Sequence, residues 1–475
     1  MFPTSDLAMA EISVLTAMQR LLAQTIHVIS DVHGENAKLR HVVNNASGSL
    51  RPMVDKLFAS KLAEAERHEL LCIVYYPAET MRRLRTEWKT VQDRVKWVSK
   101  TLRLQFQIVR EFAKTFRRKH VMRLLPTEYH ELLEALVSES MINRGIGYVD
   151  AMVEARSEFD RDLPIIRAFS RLIRNLAVGE LIVAGDLGDR GPRIDRVIDF
   201  LMQQPHTTLL WGNHDLVWMG ASLGHDAMIA TVLRFSIRYA RIAQLEAGYG
   251  ISLEPLERLA RDMYKDDPAE RFKVKVEHAY DPLLLARMQK AMAVLQFKTE
   301  GQLINRHPEW GIDDRNLLHK INLPAGTVEI GGKSHELLDK HFPTLDPKNP
   351  YQLNKAEQRC MAELQSLFLG STRLWQHMRW VAQHGAMWKK RDEVLIFHAC
   401  VAVDKTGNPL PLSIDGREVS GRAMMDAFDE IIRRSFRAGQ DASASDLDWL
   451  WYLWAGPRSP LFGKDKMTTF ETAFV

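Results

Sequence analysis

A chain of 475 residues, 46% hydrophobic and 26% charged, is long enough for about three structural units and too apolar to be disordered. Its 64 Lys+Arg against 60 Asp+Glu leave a net charge of +4, which suits a phosphorylated small molecule and makes no case for nucleic acid. Cys72, Cys360 and Cys400 are far apart and lack C-x-x-C spacing, which argues against a zinc–thiolate site or a disulfide framework. The stretch Met1 to Arg20 carries Asp6 and Glu11 and no long apolar run, so a cytoplasmic protein without a membrane partner is expected.

Four short apolar runs read as buried strands whose carboxyl ends open into polar loops: Ile26–Ile29, Leu181–Ala184, Thr208–Trp211 and Val394–Phe397. From about Arg51 to Ala177 the chain reads as helix. Leu84, Trp88, Val91, Val95, Val98 and Leu102 fall on one helical face, with Arg83, Arg85, Lys89, Arg94, Lys96 and Lys100 mainly off it. Glu87 and Asp93 interrupt that basic side, so a solvated helix face accounts for it better than a nucleic-acid stripe. A second helical stretch, about His225 to Lys390, includes segments Pro282 to Phe297 and Lys355 to Leu369, separated by loops Leu323 to Lys333 and Pro343 to Pro350. The expected organisation is a discontinuous core, 1–50, 177–224 and 391–475, with helical insertions at 51–176 and 225–390.

The strand ends carry the chemistry. Asp31-Val32-His33-Gly34 follows the first, Gly185-Asp186-Leu187-Gly188-Asp189-Arg190-Gly191 the second, Gly212-Asn213-His214-Asp215 the third, and His398 the fourth. Carboxylate, imidazole and amide oxygen suit a hard or borderline divalent ion. Two residues apart, Asp31 and His33 can grip one ion. Asp186 can bridge two, with Asn213 and His398 holding the second. Such a pair, about 3.5–4 Å apart, clamps a phosphate and acidifies a water for in-line attack. His214 is placed to protonate the leaving group, Asp189 to orient that imidazole, and Arg190 to meet phosphate oxygens. Taken alone, each short motif fits a capped turn, and His398 fits a core histidine as well as a ligand. Three motifs in this order after buried strands make coincidence a poor explanation.

These motifs resemble the calcineurin-like metallophosphatase superfamily. A narrower resemblance, to class III fructose-1,6-bisphosphatase, is carried by Ser30 to His33 with His41 to Gly48, by Trp211 to Ala221, and by Trp451 to Trp454 with Ser459 to Phe470. The most specific mark is Trp-Gly-Asn-His-Asp-x-x-Trp-Met-Gly, Trp211 to Gly220. The resemblance implies an α+β fold, a calcineurin-like αββα sandwich flanked by helices. It also implies hydrolysis of fructose 1,6-bisphosphate in gluconeogenesis with manganese (Mn2+), with nucleotide or phosphoenolpyruvate effectors; the sequence leaves a homo-oligomer or a second partner chain open. Asp31, His33, Asp186, Asn213 and His398 carry over as ligands, and His214, Asp189 and Arg190 as acid, orienter and phosphate holder. Lys464 and Lys466 could hold the second phosphate, although a solvated turn explains them better.

The sequence departs from that pattern at three places. No Gly-His motif follows His398, Gly188 replaces a bulkier residue, and Ala455 stands where Cys is frequent. Gly224-His225 reads as structural. A weak second metal site, an incomplete second sheet and a separate chain supplying the rest are the expectations that follow. Two other readings compete: a protein Ser/Thr phosphatase, and a non-catalytic truncated paralogue that keeps the metal motifs.

Overall fold

The computed structural model describes residues 4–19, 25–114, 116, 118–137, 145–157, 161–274 and 281–475. The expected insertions include 115, 117, 138–144, 158–160 and 275–280, and the expected leaderless N-terminus includes 1–3 and 20; all of these lie outside the described residues. The fold mixes helices with small sheets, and the chain divides into two compact units. One comprises Met1–Val28, Ala37–Ile182 and Gln204–His206, the other Ile29–Asn36, Val183–Gln203 and Thr207–Val475.

The first unit is built from helices around an apolar core that includes Val54, Phe58, Leu102, Phe106, Phe169 and Ile173. Its longest helix runs Val91–Ala113 and begins later than the apolar spacing predicts. Thr90 caps it: the Thr90 hydroxyl accepts from the Asp93 N–H at 3.1 Å, and the Asp93 carboxylate accepts from the Thr90 N–H at 3.0 Å. This reciprocal cap satisfies two orphan donors and fixes the start, so Leu84 ends an earlier helix, Pro77–Leu84, and Trp88 lies between the two. Val91, expected on the buried face, is 64% exposed for the same reason.

In the second unit the helix Asp226–Arg238 packs on Pro282–Arg306, and Asn213–Ser222 packs on Ala444–Ala455. The segment 323–333, expected as a loop, instead belongs to a three-stranded antiparallel sheet, Ile321–Asn322, Thr327–Ile330 and Lys333–Glu336. Gly331 and Gly332, both at positive φ (57° and 74°), supply the two-residue turn that lets Ile330 pair with Lys333.

The four-stranded sheet has the order Ile26–Ile29, Glu180–Ala184, Thr207–Leu210, Gly385–Ala386. Three of the four expected strands are in it. The fourth place belongs to Gly385–Ala386, parallel to Thr207–Leu210, with Leu210 opposite Ala386. Gly385 fits there because a Cβ would meet the Trp211 indole nitrogen at 2.0 Å. Val394–Phe397 pairs antiparallel with Trp388–Arg391 in a separate hairpin, turned by Asp392 at φ 53°. An apolar run cannot by itself distinguish a buried strand from a hairpin arm, and Val394 and Leu395 are 59% and 54% exposed. Among the described residues no single helix is long and apolar enough to cross a membrane.

Candidate metal centre

Every residue of the three motifs lies in the second unit. Asp31, His33 and Asp186 each adopt positive φ (53°, 49° and 56°), a left-handed backbone that side-chain-bearing residues seldom take. The loops hold each other in it. The Asp31 N–H donates to the Gly185 carbonyl (3.2 Å), the His33 N–H to the Asp186 carbonyl (2.8 Å), and the Gly34 N–H to the Leu187 carbonyl (2.7 Å). Close approach demands glycine at two points: a Cβ on Gly191 would lie 1.6 Å from the His33 carbonyl oxygen, and one on Gly212 2.2 Å from the Asp186 carboxylate.

The ligand-capable atoms of Asp31, His33 and Asp186 lie within 4.8 Å of one another, a group able to hold a metal ion. His33 Nε2 stands 3.5 Å from Asp31 Oδ1 and 3.4 Å from Asp186 Oδ2. His398 Nε2 reaches to 3.6 Å from Asp186 Oδ1. Its Nδ1 is 2.9 Å from the Ala184 carbonyl, a bond in which the ring donates and Nε2 is left as the free lone pair. Asn213 opens the helix Asn213–Ser222; its side-chain amide donates to the Trp454 carbonyl at 3.5 Å, and the next backbone N–H, of His214, donates to Asp186 Oδ1 at 3.2 Å.

Burial by itself would raise the Asp186 carboxyl; the hydrogen bond with His33 and the nearby His214 and His398 outweigh it and hold that group below the ordinary carboxylate range. The same bond to Asp186 lifts His33 above the usual imidazole value despite its burial. His214 moves the other way. Burial depresses its basicity more than Asp186 and Asp189 restore it, and the charge of Arg190 adds to the depression. Asp189 Oδ1 lies 3.4 Å from His214 Nδ1, while Asp189 Oδ2 accepts from Arg190 Nε at 3.0 Å. The His214 ring is walled by Trp454 (centroids 4.8 Å, edge-on) and Phe235 (5.7 Å).

The structure thus gathers Asp31, His33 and Asp186 at one point, with His398 reaching the other oxygen of Asp186 and His214, Asp189 and Arg190 alongside. Lys466 is engaged elsewhere: it pairs with Asp314 (3.2 Å) and Glu471 (3.3 Å), and lines a separate small cavity with Arg315 and Glu300. Lys464 is exposed on the same loop.

Asp215, to which the motif reading gives no role, ties the centre together. Its Oδ2 accepts from the N–H groups of Asp186 (3.0 Å) and Gly212 (2.9 Å), and its Oδ1 from that of Leu187 (2.8 Å). Burial, then the charge of Asp186, push its carboxyl up to about 7. The available signal was an acidic residue at the third helical position after Gly212, the place from which a side chain reaches back to the cap.

A buried carboxylate flanked by a second carboxylate and two imidazoles at strand ends, beside a histidine–aspartate pair and an arginine, is the donor set of a metal-dependent phosphatase. The whole chain, residues 1–475, matches the family model of Firmicute fructose-1,6-bisphosphatase, and it belongs to that family. It is 37% identical over 484 residues to a fructose-1,6-bisphosphatase class 3 of Clostridium acetobutylicum, a match covering 100% of this chain and 72% of that protein. A protein of the same name from Porphyromonas gingivalis is 36% identical over 483 residues, covering 100% of this chain and 73% of the relative. One from Clostridium botulinum (strain Loch Maree) is 35% identical over 482 residues, with 100% and 72% covered. No solved structure matches the chain.

Proposed function

We propose that this chain hydrolyses the 1-phosphate of fructose 1,6-bisphosphate, water supplying the oxygen, to give fructose 6-phosphate and inorganic phosphate, as a step of gluconeogenesis. The observation that carries this reading is the meeting of Asp31, His33 and Asp186 within 4.8 Å in a chain whose full length matches the family. The donor set fits a divalent ion: Asp186 is buried and ionised, and His398 presents Nε2 because Nδ1 is committed to a backbone carbonyl. Asp31, His33, Asp186, Asn213 and His398 would hold two ions, with manganese the expected metal, in a calcineurin-like core. When bound, the metals would polarise the phosphoryl oxygens and lower the pKa of the attacking water.

The remaining steps belong to side chains. Arg190, exposed and adjacent to Asp189, offers guanidinium donors to the reacting phosphate and to the charge that develops on it. His214, beside Asp186 and Asp189, is the group that would give a proton to the departing sugar oxygen. Asp189 Oδ1, 3.4 Å from His214 Nδ1, would orient the ring and offset part of the depression that burial imposes on it, while Trp454 and Phe235 pack against the ring.

Phosphate release is the test. With Mn2+ added, the purified chain is expected to release phosphate from fructose 1,6-bisphosphate, to lose activity with chelator, and to fall by at least about 100-fold with Asp186→Asn. Release from a phosphopeptide alone would turn the reading to a protein phosphatase, and release from neither to a non-catalytic member.

A further inference from the structure

A sugar bisphosphate presents two dianions about one hexose apart, and the centre above accounts for one. Binding energy from the non-reacting end can raise the rate at the reacting end, so a second cationic place is chemically useful. Lys466 is poorly suited, since Asp314 and Glu471 already neutralise it.

Close to Asp189 the second unit carries two arginines against one ring and a third bonded to the first of them. The Arg190 guanidinium carbon lies 5.9 Å from the centroid of Tyr239, and that of Arg238 lies 5.8 Å from it. The chain turns back at Ala240, at φ 53°, and Arg241 then donates Nε to the Arg190 carbonyl at 2.7 Å. Arg190 gives Nε to Asp189, but its side chain is 68% exposed. Among the described residues, neither Arg238 nor Arg241 is paired with a carboxylate. A cation in the last turn of a helix also complements the helix dipole, which accounts for Arg238 and leaves the convergence of Arg190 and Arg241 on the same spot unexplained.

We propose that Arg238 and Arg241, with Tyr239 between Arg238 and Arg190, form an anion subsite for the non-reacting phosphate of a sugar bisphosphate, Arg190 standing at its border with the reacting centre. This rests on the hydrolytic reading above. Planar guanidinium forks match phosphate oxygens pairwise, and the Tyr239 ring brings those of Arg190 and Arg238 to one place.

Arg238→Gln, Arg241→Gln and Arg241→Lys would be compared with the parent, with thermal melting to confirm folding. The ratio of kcat/KM for fructose 1,6-bisphosphate to that for fructose 1-phosphate is expected to fall at least tenfold in both Gln variants, mainly through KM for the bisphosphate, with partial rescue by Lys at 241. In parallel, calorimetric titration of fructose 6-phosphate, which needs no turnover, is expected to show at least fivefold weaker binding to Arg238→Gln. An unmoved ratio, an unmoved affinity, or no binding to the parent overturns the subsite. A parent that binds fructose 6-phosphate through Arg238 yet hydrolyses no bisphosphate would overturn the hydrolytic reading and leave the anion subsite standing.

Discussion

Asp215 shows how one side chain can act on a metal centre it does not face. Its carboxylate gathers three backbone N–H groups, from Asp186, Leu187 and Gly212, and so fixes the strained loop at Asp186. In Asp215→Asn one acceptor becomes a donor pointed at N–H groups, and leaving buried donors unmatched costs about 1–3 kcal/mol. Chemical denaturation should show a loss of about 2 kcal/mol. Calorimetry should show Mn2+ affinity falling at least tenfold, whereas a merely structural aspartate would lower stability and leave metal affinity alone. Gly188 has a plainer explanation: the side chain of Ile194 occupies the space beside it, where an added Cβ would come within 2.4 Å.

Among elements, the Val91–Ala113 helix depends on its cap. Thr90→Ala removes the acceptor for the Asp93 N–H, and such losses cost about 1 kcal/mol. Denaturant melts are expected to show that shift, with Thr90→Ser restoring most of it. The boundary was legible in principle, since Thr-x-x-Asp stands at 90–93, but the four-and-three spacing from Leu84 to Leu102 masked it. The first three strands were legible from their apolar runs and the polar loops after them. Val394–Phe397 was legible as a strand but not as a hairpin arm, because composition does not name a strand's partner. Gly385–Ala386 left no apolar signal at all.

For the molecule as a whole, buried charge clusters link distant parts of the second unit and set its response to acid. Asp448, on the Ala444–Ala455 helix that carries Trp454, is buried against His225 (3.2 Å), Arg306 (2.8 Å) and His307 (2.9 Å). Burial opposes its ionisation, but bonds to His225, Arg306 and His307 prevail and bring its carboxyl to about 2, below the ordinary 3.8. A depressed carboxyl stabilises the fold fully above its unfolded value and loses that contribution as pH falls through the folded one. Unfolding free energy should therefore drop between about pH 4 and 2, and Asp448→Asn should be less stable at pH 6 with a shallower fall over that window. Equal slopes for the two proteins, followed by denaturant unfolding at successive pH values, would remove Asp448 from the account.

The residue types of the centre, their order and their place after strands were determined by the sequence, because metal and phosphate chemistry restrict donors to a few side chains and strand ends expose them. Which of those side chains meet was decided only by the tertiary structure. Trp454 comes to the site, and Arg241 to Arg190 at its edge, through backbone turns and helix packing, contacts between residues far apart in the chain that no local pattern encodes.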